Sequence, residues 1–114
     1  MRRRSRPIRH VKMSFIIAYI THKNIEEARK IGEHLLKKKI VACVNYFPID
    51  SAYWWKGKIK NSKEIVSLVK SRKENWDKIK AEVSKMHPYE VPCIIKLDVE
   101  SNSDYERWIN EESV

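Results

Sequence analysis

Phe15-Ile16-Ile17-Ala18-Tyr19-Ile20 is a nearly unbroken apolar, β-favouring run. That pattern predicts a central strand covered on both faces. Ile25, Ala28, Ile31, Leu35 and Leu36 then recur at helical spacing and mark one face of a helix. Asn24, with Glu27 three residues on, reads as the start of that helix, an Asn-led variant of the capping box. Lys37, Lys38 and Lys39 close it at the negative end of its dipole. A second strand is expected over residues 40–47. Pro48 cannot donate to a ladder and so marks a bend, a bulge or an edge. Extended structure resumes at Ala52-Tyr53-Trp54-Trp55, turns at Lys56-Gly57-Lys58 and returns over residues 59–70. Trp76, Ile79, Val83 and Met86 place a second helix at residues 73–86. A last core strand over residues 92–99 and a short helix over residues 103–109 complete the pattern.

The order is βαββαβ with an extra C-terminal helix. Two right-handed crossovers would build an α+β, ferredoxin-like sandwich with its helices on one face. The middle hairpin is longer than the other strands can pair. At about 3.3 Å per residue its arms should project beyond the domain. A projecting hairpin tipped with Tyr53, Trp54 and Trp55 is an aggregation hazard unless something covers it. Edge-to-edge pairing of subunits is one answer. A ligand-stacking surface made by the two tryptophans is the other.

Composition and charge change this picture only at its edges. A chain of 114 residues, 42% hydrophobic, is the size of one domain with one ordinary core. No apolar run approaches the roughly 20 residues that span a bilayer, so no membrane role is expected. No secretory pattern follows the basic start, and a cytoplasmic location is expected. Arg2, Arg3, Arg4, Arg6, Arg9 and Lys12 supply six of the 24 basic residues, leaving 18 against 15 acids in the rest of the +9 chain. Residues 1–12 are therefore read as a disordered basic arm and residues 13–114 as the domain. Nucleic acid or anionic lipid is an expected partner only through that arm. The strands are too aliphatic for an RNA-binding platform of the same topology. Cys43 and Cys93 each fall in a predicted strand, where a cysteine usually packs as a small hydrophobe.

The richest chemistry is at Met86-His87-Pro88-Tyr89-Glu90-Val91-Pro92. Pro88 disfavours helical geometry at His87, so the second helix stops there. A rigid corner carrying an imidazole, a phenol and a carboxylate suits a functional site, although a stiff connection explains it as well. For a small ligand the candidates are Glu64, Lys70 and Tyr89. An enzyme would use His87 as base, oriented by Glu64 or Glu90, with Lys70 neutralising an anion. Cys43 with His87 could form a nucleophile pair. No nucleophile motif or oxyanion-hole signature accompanies either, so the chain is read as a non-enzyme.

Ala42-Cys43-Val44-Asn45, Tyr53-Trp54-Trp55-Lys56-Gly57-Lys58-Ile59, Glu64, Lys70, His87-Pro88-Tyr89-Glu90-Val91-Pro92, Tyr105 and Trp108-Ile109 together resemble the CutA divalent-cation-tolerance family. The resemblance covers about residues 13–112. It implies a ferredoxin-like fold related to PII signalling proteins, and a tight homotrimer whose hairpins, with Tyr53, Trp54 and Trp55, reach neighbouring subunits. It also implies a link to tolerance of divalent metals, with copper or another divalent cation as the bound ion. His87 is the main ligand candidate, and Cys43 and Glu90 are helpers; imidazole and thiolate are the donors copper prefers. A PII-like regulatory trimer would instead bind a small anion between subunits, with Lys58, Lys70 and Arg72 as contacts. Three departures stand out. Tyr19-Ile20-Thr21 carries no thiol where some members have one, Met86 precedes His87 where some have a second histidine, and Lys70 is followed by Ser71 rather than Thr.

Overall fold

The computed structural model describes residues 14–114; the basic arm over residues 1–12, expected to be disordered, lies outside the described residues. The elements are β1 (Phe15–His22), α1 (Ile25–Lys37), β2 (Cys43–Trp55), β3 (Lys58–Ser71), a single 3-10 turn (Lys73–Asn75), α2 (Trp76–Met86), β4 (Ile94–Val99) and α3 (Ser103–Glu112). The four strands form one antiparallel sheet in the order β2-β3-β1-β4. The α+β, ferredoxin-like arrangement expected from the element order is therefore the one observed.

The core lies between the sheet and α1 and α2. Ile16, Ala18 and Ile20 of β1 meet Ile31 and Leu35 of α1, Val69 of β3, and Ile79 and Val83 of α2. Each large aliphatic side chain buried there contributes about 1.5–3 kcal/mol. The Asn24 side chain accepts the Glu27 amide at 2.8 Å and caps α1. At the other end Lys39 takes a left-handed φ of 59°. The Ile40 amide then reaches the Leu35 carbonyl and the Lys39 amide the Leu36 carbonyl, a Schellman ending built without glycine. Asn75 ties the exit of β3 to the exit of α1, its Nδ2 donating to the Ile40 carbonyl at 2.8 Å and the Ser71 hydroxyl at 3.1 Å. α3 covers one end of the sheet's other face, where Tyr105 packs edge-on against Phe15.

The long hairpin projects as expected. β1 covers β3 only from Ile65 to Ser71, whereas β2 pairs with β3 from Cys43 against Lys70 out to Trp55 against Lys58. The outer arms, residues 49–55 and 58–64, therefore extend about 23 Å with no third strand. This gives the molecule its 57 × 25 × 25 Å shape. Lys56 and Gly57 both have positive φ, 49° and 80°, which closes the arms in a two-residue turn whose twist matches the strands. Of the bend, bulge or edge expected at Pro48, the edge is observed: β2 runs on past residue 47, and Pro48 stands opposite Ile65 within it. β2 is an edge strand in this chain, and an edge accommodates a residue with no N–H.

Candidate functional site

The segment after α2 wraps past the end of β1 and builds a polar cluster. The His87 Nε2–H donates to the Thr21 carbonyl at 2.7 Å, and the Tyr89 amide donates to His87 Nδ1 at 3.2 Å. A carbonyl can only accept, so these two bonds place the hydrogen on Nε2. His22, 1% exposed, stacks on the His87 ring at 5.3 Å and meets the Ser67 hydroxyl through Nε2 at 2.7 Å. Its Nδ1 has no partner among the described residues. Burial, and then the neighbouring His87 ring, pull the His22 pKa down to about 4, against an opposing pull from Glu64.

Tyr89 carries the cluster to the sheet. Its hydroxyl donates to Glu64 Oε2 at 2.7 Å, across 25 residues of sequence. Burial first, then the bond to Glu64, push the Tyr89 pKa upward. Glu64 lies on β3 where β1 ends, one position beyond the Ile65–His22 pair. There it lines a cleft of about 820 Å³ that runs between the projecting arm, residues 49–55, and residues 89–93. Tyr53, Trp55 and Tyr89 supply aromatic walls, and Asp50 and Glu90 add carboxylates.

The sequence candidates are only partly brought together. His87, Tyr89 and Glu64 converge. Lys70 does not join them. It lies six positions along β3 from Glu64, about 20 Å, and its ammonium donates to the Tyr105 hydroxyl at 3.1 Å. Cys43 is opposite Lys70, at the Ile17 level of β1, and so stands about 13 Å along the sheet from Thr21 and the His87 ring. The expected set of His87, Cys43 and Glu90 is therefore not a cluster, and no three His, Cys, Asp or Glu side chains among the described residues are grouped to hold a metal ion. Among the described residues of one chain, no resident metal centre fits. The orientation of His87 by Glu64 or Glu90 is likewise absent: backbone groups fix the ring.

Tyr53 and Trp55 face the cleft, whereas Trp54 points the other way and is 72% exposed. Sequence reasoning passed over Cys93, expected inside a strand. It precedes β4, lines the cleft, and has its thiol pKa pushed up by burial. A thiol held in its protonated form is a poor nucleophile and a poor soft ligand. His22 was also missed. Its only sequence signal is that it ends an otherwise apolar strand.

An α+β sandwich with a projecting hairpin and a cleft along it defines the structural class. Comparison with known proteins gives the family: residues 16–112 match the CutA1 divalent ion tolerance protein family, and the chain belongs to it. It is 40% identical over 99 residues to the divalent-cation tolerance protein CutA of Pyrococcus horikoshii, covering 86% of this chain and 97% of that one. The solved structure of the periplasmic divalent cation tolerance protein CutA from Archaeoglobus fulgidus superposes with a TM-score of 0.85 at 40% identity, covering 88% of this chain and 99% of the other. The PII-like protein CutA from Nostoc, solved in apo form, gives a TM-score of 0.81 at 28% identity over 87% of this chain and 97% of that one. The family is one of divalent ion tolerance, not one defined by a reaction. No helix among the described residues is long and apolar enough to cross a membrane.

Proposed function

We propose that this chain acts as a homotrimer in divalent-metal tolerance, copper foremost, and works as a binding module rather than an enzyme. The observation that carries the assembly is the unsupported hairpin. Residues 49–55 and 58–64 have no third strand, and Trp54 at 72% and Ile59 at 62% exposure stand on it. Soluble monomers rarely expose such a surface, and strand edges recruit other strands. Three hairpins pairing around a three-fold axis would satisfy those edges and shelter the tryptophan. The non-enzymatic reading is supported by His87, both of whose ring nitrogens are engaged by backbone groups.

Copper, taken as an exogenous ion, would use the lone pair of His87 Nδ1 in place of the 3.2 Å Tyr89 amide. The exposed Glu90 is the nearest carboxylate in sequence, and Cys43 is too distant to help. A second reading, a PII-like regulatory trimer, draws on the likeness to the Nostoc protein. The cations proposed for it do not converge within one chain: Lys58 is at the hairpin tip, Lys70 is bonded to Tyr105, and Arg72 to the Asn110 carbonyl.

Analytical ultracentrifugation at low micromolar concentration should show one species of three 13.6 kDa chains. A well-folded monomer there would refute the assembly. Calorimetric titration with Cu(II) should show affinity reduced at least tenfold in His87→Ala. Superimposable titrations of the two proteins would remove His87 from copper binding.

A further inference from the structure

Two ammonium groups and an imidazole converge on one carboxylate where α1 meets α2. Glu82 accepts from His34 Nε2 at 2.7 Å, from Lys38 Nζ at 3.0 Å and, through its second oxygen, from Lys85 Nζ at 2.9 Å. These bonds keep it ionised, with its pKa drawn down to about 2 by His34 first and then by Lys85 and Lys38. One negative charge does not balance the cations gathered there. Lys78 stands one turn before Glu82 on the same face of α2. Lys37 and Lys39 flank Lys38, and all five lysines are exposed. Other acids of the two helices face elsewhere. Asp77 pairs with Lys80 at 3.2 Å, on the side of α2 where Lys80 lies over Trp76. The charge of Glu33 acts on Tyr46 of β2, across α1 from α2. The seam between the helices is therefore a strip of net positive charge. It lies on the helical layer, apart from the hairpin arms and from the bare face of the sheet, so subunit contacts through those surfaces do not use its residues.

The same end of the molecule carries the root of the basic arm. The Asn110 side chain donates to the Ser14 carbonyl at 3.4 Å, the Arg72 guanidinium donates to the Asn110 carbonyl, and the Val114 amide donates to the Lys39 carbonyl at 2.8 Å. The end of α3 thus links the entry into β1 to the end of the strip. Asp98, paired with Ile16, and Glu100 flank that entry on the β4 side, so the positive field lies on the α1 side. Residues 1–12 add six cations and no acid.

We propose that the α1–α2 seam, extended by the basic arm, is a docking surface for nucleic acid, which it holds by the phosphates and not by the bases. The cations lie in a row rather than around one point, which suits a chain of phosphates better than a single anion. From Lys78 to Lys85 the helix rises about 10 Å. That is about three phosphates of one strand at 3.4 Å each. No tryptophan, tyrosine or phenylalanine stands among these lysines for a base to stack on, so the contact is independent of sequence. An anionic bilayer is a poorer partner. Surface binding to a membrane needs an apolar face as well as charge, and Leu36 is the one large apolar side chain exposed on α1 or α2.

The test uses the full chain and a fluorescein-labelled DNA duplex of about 20 base pairs, followed by anisotropy from about 50 to 200 mM salt. Affinity should fall at least about a hundredfold over that range and stay the same when the duplex sequence is scrambled. The triple variant Lys37→Gln/Lys78→Gln/Lys85→Gln should bind at least about tenfold more weakly, and its plot of log K against log salt should be shallower by about 2–3. Lys23→Gln/Arg107→Gln removes two charges away from the strip and should change affinity by less than about threefold. A chain lacking residues 2–12 should bind more weakly and still be weakened by the same triple substitution. Absence of saturable binding would overturn the proposal, as would a triple variant that binds like the wild type. So would an arm deletion after which binding is lost, or after which the triple substitution has no further effect. Vesicles of phosphatidylserine and phosphatidylcholine that bind as tightly as the duplex at equal phosphate concentration would assign the surface to a membrane instead. Should the triple variant fail to fold, Lys37→Gln and Lys78→Gln singly decide, each expected to reduce the salt slope by about 1.

Discussion

Gly32 is buried on the inner face of α1, where a Cβ would lie 2.0 Å from the Tyr46 hydroxyl oxygen and 3.1 Å from its ring carbon. The glycine thus makes room for a tyrosine that β2 sends across the helix. Alanine would gain about 1 kcal/mol of helix propensity and yet displace that ring. Gly32→Ala should therefore destabilise the fold by about 1–3 kcal/mol in urea unfolding, as overpacking does. In a Tyr46→Leu background the same substitution should be neutral or stabilising; destabilisation by the same amount there would show that Tyr46 is not the cause. His22 sets a pH dependence at the same scale. It is held at about 4 in the folded chain and returns to about 6.5 when unfolded. The unfolded state thus binds the extra proton between those values. Stability is complete above about pH 6.5 and falls as pH drops toward 4. Glu82, lowered to about 2 by hydrogen bonds from His34 first and then Lys85 and Lys38, loses stability in the same direction, but only below about 4.5. The window from 4.5 to 6.5 isolates His22, and His22→Gln should flatten unfolding free energy against pH there. An unchanged slope would assign it elsewhere.

At the scale of elements, β3 is one strand with a boundary in it. Residues 65–71 lie between β2 and β1, whereas residues 58–64 have β2 alone. If neighbouring copies hold the arms, hydrogen exchange should depend on protein concentration in residues 49–64 and not in residues 65–71. Uniform behaviour along β3 at every concentration would erase the boundary. The elements themselves were largely legible. Periodicity marks both main helices, the Asn24 cap and the apolar run of β1, because those are local properties of the chain. At Pro48 the sequence left bend, bulge and edge open, because the choice depends on which strand neighbours β2, a tertiary fact; the edge is the one observed. The site was less legible for the same reason. The Tyr89–Glu64 bond spans 25 residues and the His22–His87 stack spans 65, and only strand register brings them together. Register also explains why Lys70, an equally good candidate by residue type, ended up against Tyr105. Cys93 looked like a core residue until β4 proved to begin one position after it, at Ile94.

At the scale of the whole molecule, one layer of helices closes one face of the sheet, and the other face is covered only at its end by α3. Ile95, Leu97 and Trp108 remain exposed. The strand order has a consequence for how the chain is made. β1 is synthesised before either of its neighbours in the sheet, β3 and β4. Its first partner, residues 65–71, begins 43 positions after His22 (65 − 22), and its second, Ile94–Val99, begins 72 positions after it (94 − 22). The most apolar strand of the protein therefore leaves the ribosome with neither edge satisfied. It can be shielded only by α1, which follows it directly and carries Ile31 and Leu35 of the shared core. Long-range pairing of this kind is slow, and unpaired strands awaiting partners are prone to aggregate. The interval before β4 emerges is thus the time at which this chain is most exposed to misassembly, and early formation of α1 is its first protection.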